Sequence, residues 1–178
     1  MNIKAIVRCG LVSALISVTA WISVPFAVPF TLQTFGIFCA LLLLGGKLGT
    51  VAIAVYVLLG AVGLPVFAGF QGGTGIIFSQ LGGFIFGFII MGLLYYLITK
   101  ACGDKVHIQI ISLIVGLLAC YTTGTMWYML FSNNNDFASA VTTCVLPFII
   151  PDTIKLWMAF IVSRRLKYAN LFTDKKTT

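Results

Sequence analysis

The sequence predicts an all-α membrane protein of six transmembrane helices with both termini cytoplasmic, and three observations carry that prediction. First, 60% of the 178 residues are hydrophobic and only 8% are charged. A soluble domain carries roughly 25% charged residues, so no water-facing surface can be built from this chain. Second, the apolar residues fall into six runs punctuated by proline, glycine or polar clusters. Third, ten of the eleven basic residues fall on one side of that layout.

Each run reads as a helix, because hydrocarbon tolerates only backbone whose polar groups are satisfied internally. None shows the strict alternation of a membrane barrel strand. The first covers about 4–24 and ends at Pro25 and Pro29. Without a small-residue cleavage site followed by a polar chain, it reads as a membrane helix and not as a signal peptide. The second, about 32–44, is short and stops at Gly45-Gly46-Lys47-Leu48-Gly49. The third covers about 50–64, where Pro65 stops it. The fourth spans about 81–99, the fifth 107–131 and the sixth about 138–163, with a polar tail over 166–178 that frays beyond Leu171. A single domain over 1–178 follows.

This layout puts Lys4, Arg8, Lys47, Lys100, Lys105, Arg164, Arg165, Lys167, Lys175 and Lys176 on the inner side and no lysine or arginine in the outer connections. Positive charge gathers on the cytoplasmic face. The net charge of +7 therefore marks a membrane face; it forms no stripe for nucleic acid. The five cysteines are odd in number and lack the spacing of a disulfide framework or a zinc site.

The outer connections 25–31 and 65–80 are apolar and rich in proline and glycine, unlike solvated loops. Both are expected to fold back over the outer half of the bundle, where irregular backbone is tolerated only if buried in protein or lining a cavity. The third, Ser132-Asn133-Asn134-Asn135-Asp136, is plain turn chemistry.

The sixth run holds the eleventh basic residue, Lys155, and Asp152 three positions before it, on one helical face. Each charge costs a few kcal/mol or more in the bilayer unless paired or hydrated. The pair is expected either to bind a small polar ligand or to lock helices together. Gln33, Gln71 and Gln80 can add amide donors and acceptors, and Phe30 with other outer aromatics suits a flat apolar ligand body. The GFQGGTG run lacks the lysine–serine pair of a phosphate loop. His107, the only histidine, sits at the inner edge and the chain has no glutamate, so an enzyme is not expected. Gly10 and Ala14, four apart on the first helix, permit close approach of another helix, within the bundle or from a partner.

The runs VPFTLQTFGIF (28–38), YVLLGAVGLPVFAGFQGG (56–73), LGGFIFGF (81–88) and PDTIK (151–155) resemble the BioY family, the biotin-specific substrate-binding (S) components of energy-coupling factor (ECF) transporters. The resemblance covers about residues 5–165 in the same order. It implies six helices, an outward-facing biotin pocket under folded-in outer loops, and coupling to a shared membrane protein and two ATPases in a bacterial cytoplasmic membrane, with no cofactor on this chain. On that resemblance Asp152, Lys155, Gln33, Gln71, Gln80, Phe30, Gly72, Gly73, Gly82 and Gly83 are expected at the pocket, and Gly10 and Ala14 at the docking face. Asp152 would accept from a ligand donor, and Lys155 would meet either the carboxylate or the ureido carbonyl of biotin. Where the family reads G-P-T-G-G-Y before the fourth helix, this chain has Ser79-Gln80-Leu81-Gly82-Gly83-Phe84. An S component for another small vitamin, or an assembly subunit without ligand, are the competing expectations.

Overall fold

The computed structural model describes residues 2–132 and 136–168. Helix α1 covers Ile3–Trp21. A two-residue antiparallel ribbon follows, β1 (Ser23–Val24) paired with β2 (Phe30–Thr31), Val24 opposite Phe30. Helical backbone α2 then extends over Gln33–Ala61, interrupted at Gly45, where φ is 76° and ψ 173°. At that residue the chain reverses. The Gln33 side-chain amide reaches the Tyr56 hydroxyl at 2.8 Å, although 23 residues of straight helix would separate them by about 35 Å. Gly49 packs on the backbone of Ala40 and Leu41, with no space for a Cβ. Thus α2 is a hairpin of two antiparallel arms, 33–44 and 46–61. The turn needs a single residue, and helix resumes well before the Thr50 expected from the sequence.

Beyond the hairpin lie a short 3-10 turn at Ala68–Phe70 and a helical turn α3 at Thr74–Ile77. Helix α4 covers Gly82–Cys102 and α5 Val106–Phe131. The sixth crossing is broken in two, α6 (Phe137–Cys144) and α7 (Leu146–Tyr168), at Val145. Asp136 starts α6 by accepting hydrogen bonds from the backbone N–H groups of Ala138 and Ser139, a side-chain N-cap. The middle of the expected polar turn, 133–135, and the fraying expected beyond Leu171 lie outside the described residues.

Five helical segments, taking α6 and α7 together, are long and apolar enough to cross a membrane. Because α2 doubles back, they make six crossings. Large apolar side chains such as Leu11, Leu58, Leu97, Leu118, Ile150 and Ile161 stay exposed on the outside of the bundle, as a lipid-facing surface requires. Inside, α1 packs on α2, α4 on α5, and α2 on both α4 and α7. The core between them includes Val12, Ile16, Ile37, Phe38, Ile53, Tyr56, Met91 and Leu113. The polar stripe of α1 turns inward: the Ser13 hydroxyl donates to the carbonyls of Cys9 and Ala52, both at 2.8 Å, which ties α1 to the second arm of α2.

Close contacts also sort the two ends of the bundle. Gly46 at the hairpin tip lies against Tyr96 near the end of α4, and the Cys9 thiol approaches the Leu48 carbonyl. The start of α1, the hairpin tip, the α4–α5 turn and the end of α7 therefore share one end. They carry Lys4, Arg8, Lys47, Lys100, Lys105, Arg164, Arg165 and Lys167, every described basic residue except Lys155. The opposite end holds the segments 22–32 and 62–81.

Candidate functional site

Those two segments close a cavity between α2, α4, α5 and α7. It encloses about 730 Å³, its open mouth included. The first arm of α2 is twelve residues, about 18 Å long, against a hydrocarbon core of about 30 Å. Its outer end therefore stops inside the bundle and delivers Gln33 and Thr34 to the cavity wall. One wall is apolar: Leu81 just before α4, and Phe84, Ile85 and Phe88 from α4.

The opposite wall is charged. Asp152 and Lys155 on α7 are 2% and 4% exposed, and the Lys155 ammonium donates to Asp152 Oδ1 at 2.7 Å. Two further donors reach the carboxylate. The Thr34 hydroxyl donates to Oδ1 at 2.8 Å from the first arm of α2, and the Tyr121 hydroxyl donates to Oδ2 at 2.7 Å from α5. On its other side the Lys155 ammonium sits over the ring of Phe30, 4.3 Å from its centroid, a favourable cation–π placement. Phe30 in turn stacks on Phe148. Pro151, one residue before Asp152, has no N–H to give the carbonyl one turn earlier, and it lies inside α7. Among the described residues, no other Asp, Glu, Lys or Arg lines the cavity. The charges thus sit together on α7, while Gln33, Gln71 and Thr31 add neutral groups to the lining.

The cap is held down by tryptophans. The Trp21 indole N–H donates to the Pro65 carbonyl at 2.8 Å, and its ring stacks on Phe70. The Trp127 indole N–H donates to the Ser79 carbonyl at 2.9 Å. Phe67 turns inward, edge-on to Tyr56, and its ring fills the space that the missing side chain of Gly60 leaves.

The expected site residues divide accordingly. Asp152, Lys155, Gln33 and Gln71 line the cavity, and Phe30 touches it through Lys155. Gln80 is exposed and outside the lining. The four glycines lie one layer out, where they allow close packing. Gly72 lies on Leu64, Gly73 adopts a φ of 94° and donates its N–H to the Gly60 carbonyl, and Gly82 and Gly83 lie against Ile77 and Trp127. Thr34 and Tyr121 were not foreseen. Thr34 is adjacent to Gln33 in a run already singled out, whereas Tyr121 is one phenol in an apolar helix. Gly10 and Ala14 sit on the exposed face of α1, with nothing packed within 4 Å of the place a Gly10 Cβ would occupy.

Fold and site together define a multi-pass membrane protein built around a cavity capped at one end, with the buried Asp152–Lys155 ion pair in its wall. The chain belongs to the BioY family, whose model matches residues 1–171. It is 39% identical over 165 residues to the biotin transporter BioY of Thermotoga maritima, covering 92% of this chain and 96% of that protein. It is 40% identical over 168 residues to the probable biotin transporter BioY of Pyrococcus horikoshii, covering 94% and 98%. The fold matches the crystal structure of the S-component for biotin from an ECF-type ABC transporter with a TM-score of 0.83, at 24% identity, over 93% of this chain and 92% of that one.

Proposed function

We propose that this protein captures biotin with high affinity from the outer side of a bacterial cytoplasmic membrane, as the S component of a transporter energised by a separate ECF coupling protein and its ATPases. The observation that carries the reading is the Asp152–Lys155 pair, 2.7 Å apart, the only charged side chains among the described residues lining the cavity. A cyclic urea presents an N–H donor and a carbonyl acceptor side by side on one edge. An adjoining carboxylate and ammonium offer the complementary edge, so the ureido head binds the pair while the ring system lies against Phe84, Ile85 and Phe88.

Charge decides which end of the ligand goes there. The pair is neutral as a unit. A ligand carboxylate placed at Lys155 would leave two carboxylates sharing one ammonium out of water, a costly excess of negative charge. The carboxylate therefore points to the mouth, near Gln71 and water. Titration calorimetry on the purified protein tests both statements, with riboflavin and thiamine as controls. Saturable binding of biotin alone is expected, and biotin carboxamide should bind within about tenfold of biotin. A loss above a hundredfold for the carboxamide would put the carboxylate at Lys155. A folded protein that ignores biotin would end the biotin reading.

The basic end of the bundle faces the cytoplasm by the positive-inside rule, which places both termini there. The exposed Gly10–Ala14 strip is the docking face for the coupling protein, since small residues let helices approach closely. Gly10→Leu should leave biotin affinity unchanged and abolish co-purification with the coupling protein. Undiminished co-purification would move the docking face elsewhere.

A further inference from the structure

We infer that Thr34 and Tyr121 are positioning residues: they hold the Asp152 carboxylate in register, so that Lys155 presents its remaining N–H to the ligand. The inference deepens the function proposed above and rests on it for the identity of the ligand. Asp152 belongs to α7, yet its neutral donors come from two other elements, Thr34 118 residues away in sequence and Tyr121 31 residues away. A buried carboxylate has about four acceptor positions. Thr34 and Lys155 occupy those of Oδ1 and Tyr121 one of Oδ2, so one position on Oδ2 is left for a ligand N–H. The ammonium has three donors. One goes to Oδ1 and one side of the group rests on Phe30, which leaves a donor for a ligand carbonyl. Without the two hydroxyls, the carboxylate would draw on Lys155 alone, and the ammonium would turn toward it and away from the cavity. Both hydroxyls thus act through Asp152 on a group they do not touch.

Isosteric substitutions separate this role from general packing. Thr34→Val and Tyr121→Phe keep shape and remove one donor each. Each should weaken biotin binding roughly 10- to 100-fold, the usual result of taking a donor from a buried charged acceptor. Thr34→Ser should restore wild-type affinity. A second measurement needs no ligand. The chain has four aspartates and no glutamate, so the infrared carboxyl band of Asp152 can be isolated as the difference between the wild type and Asp152→Asn. That band should shift in Thr34→Val and in Tyr121→Phe and return in Thr34→Ser. Unchanged band positions in both isosteric variants would overturn the inference, as would unchanged biotin affinity in both. If the wild type does not bind biotin, the proposed function fails, and the band positions alone decide whether the two hydroxyls hold Asp152.

Discussion

Lys155→Ala should reduce biotin affinity roughly 10²- to 10³-fold, the range observed when one member of a desolvated, hydrogen-bonded charge pair is truncated. The same change should destabilise the protein by about 3–5 kcal/mol, because Asp152 keeps its two hydroxyl donors but loses its counter-charge. The two effects come apart in a double variant. Asp152→Leu combined with Lys155→Met removes the pair and refills its volume with apolar atoms, a replacement that is often neutral or stabilising for buried pairs. Its thermal midpoint in detergent should return close to that of the wild type while biotin binding remains lost. Wild-type affinity in Lys155→Ala would remove the lysine from the site. A double variant as unstable as the single one would show that the pair serves chiefly to hold helices together.

The second large effect is structural. Gly45 sits at φ 76° and ψ 173°, a region open to essentially no residue but glycine, where strain costs of order 1–3 kcal/mol. Gly45→Ala should therefore lower the unfolding midpoint markedly, and Gly45→Val more so, since branching at Cβ adds crowding. Because the turn sets the register of the two arms, Gln33 and Thr34 would shift against Tyr56 and Asp152, and biotin affinity should fall together with stability. Gly75→Ala is the control: its backbone is in an ordinary region and a Cβ there meets nothing within 4 Å. Equal midpoints for Gly45→Ala and Gly75→Ala would mean that the turn tolerates rearrangement.

The six crossings were legible because hydrocarbon leaves the backbone so few options, and because the basic residues independently report which ends lie together. Asp152 and Lys155 were legible for the complementary reason: charge in an apolar run is costly, so it stands out and demands a partner. What the sequence left hidden depends on contacts between distant positions. A single glycine turns the α2 hairpin, yet the string from Gly45 to Gly49 offers three glycines, and only packing against Ala40, Leu41 and Tyr96 distinguishes their roles. The break at Val145 carries no glycine or proline at the residue itself. Nothing local marks Tyr121 as the donor to Asp152, because a tyrosine in a membrane helix is as much at home in the core or the interface. The pocket glycines illustrate the same limit: the motif signalled a tight place in the chain, and the tight place is the seam between cap and helices.

The one-residue turn at Gly45 also bears on how the chain enters the bilayer during synthesis. A twelve-residue arm is too short to be retained as an independent span, so the first arm of α2 cannot be threaded and held before the second emerges. The two arms must partition together, as a pair whose tip stays at the basic end and carries Lys47, exposed at the turn. A cation at the tip resists being drawn through to the far side. The geometry that later brings Gln33 and Thr34 to the cavity thus already determines that this part of the protein is inserted as a pair or not at all.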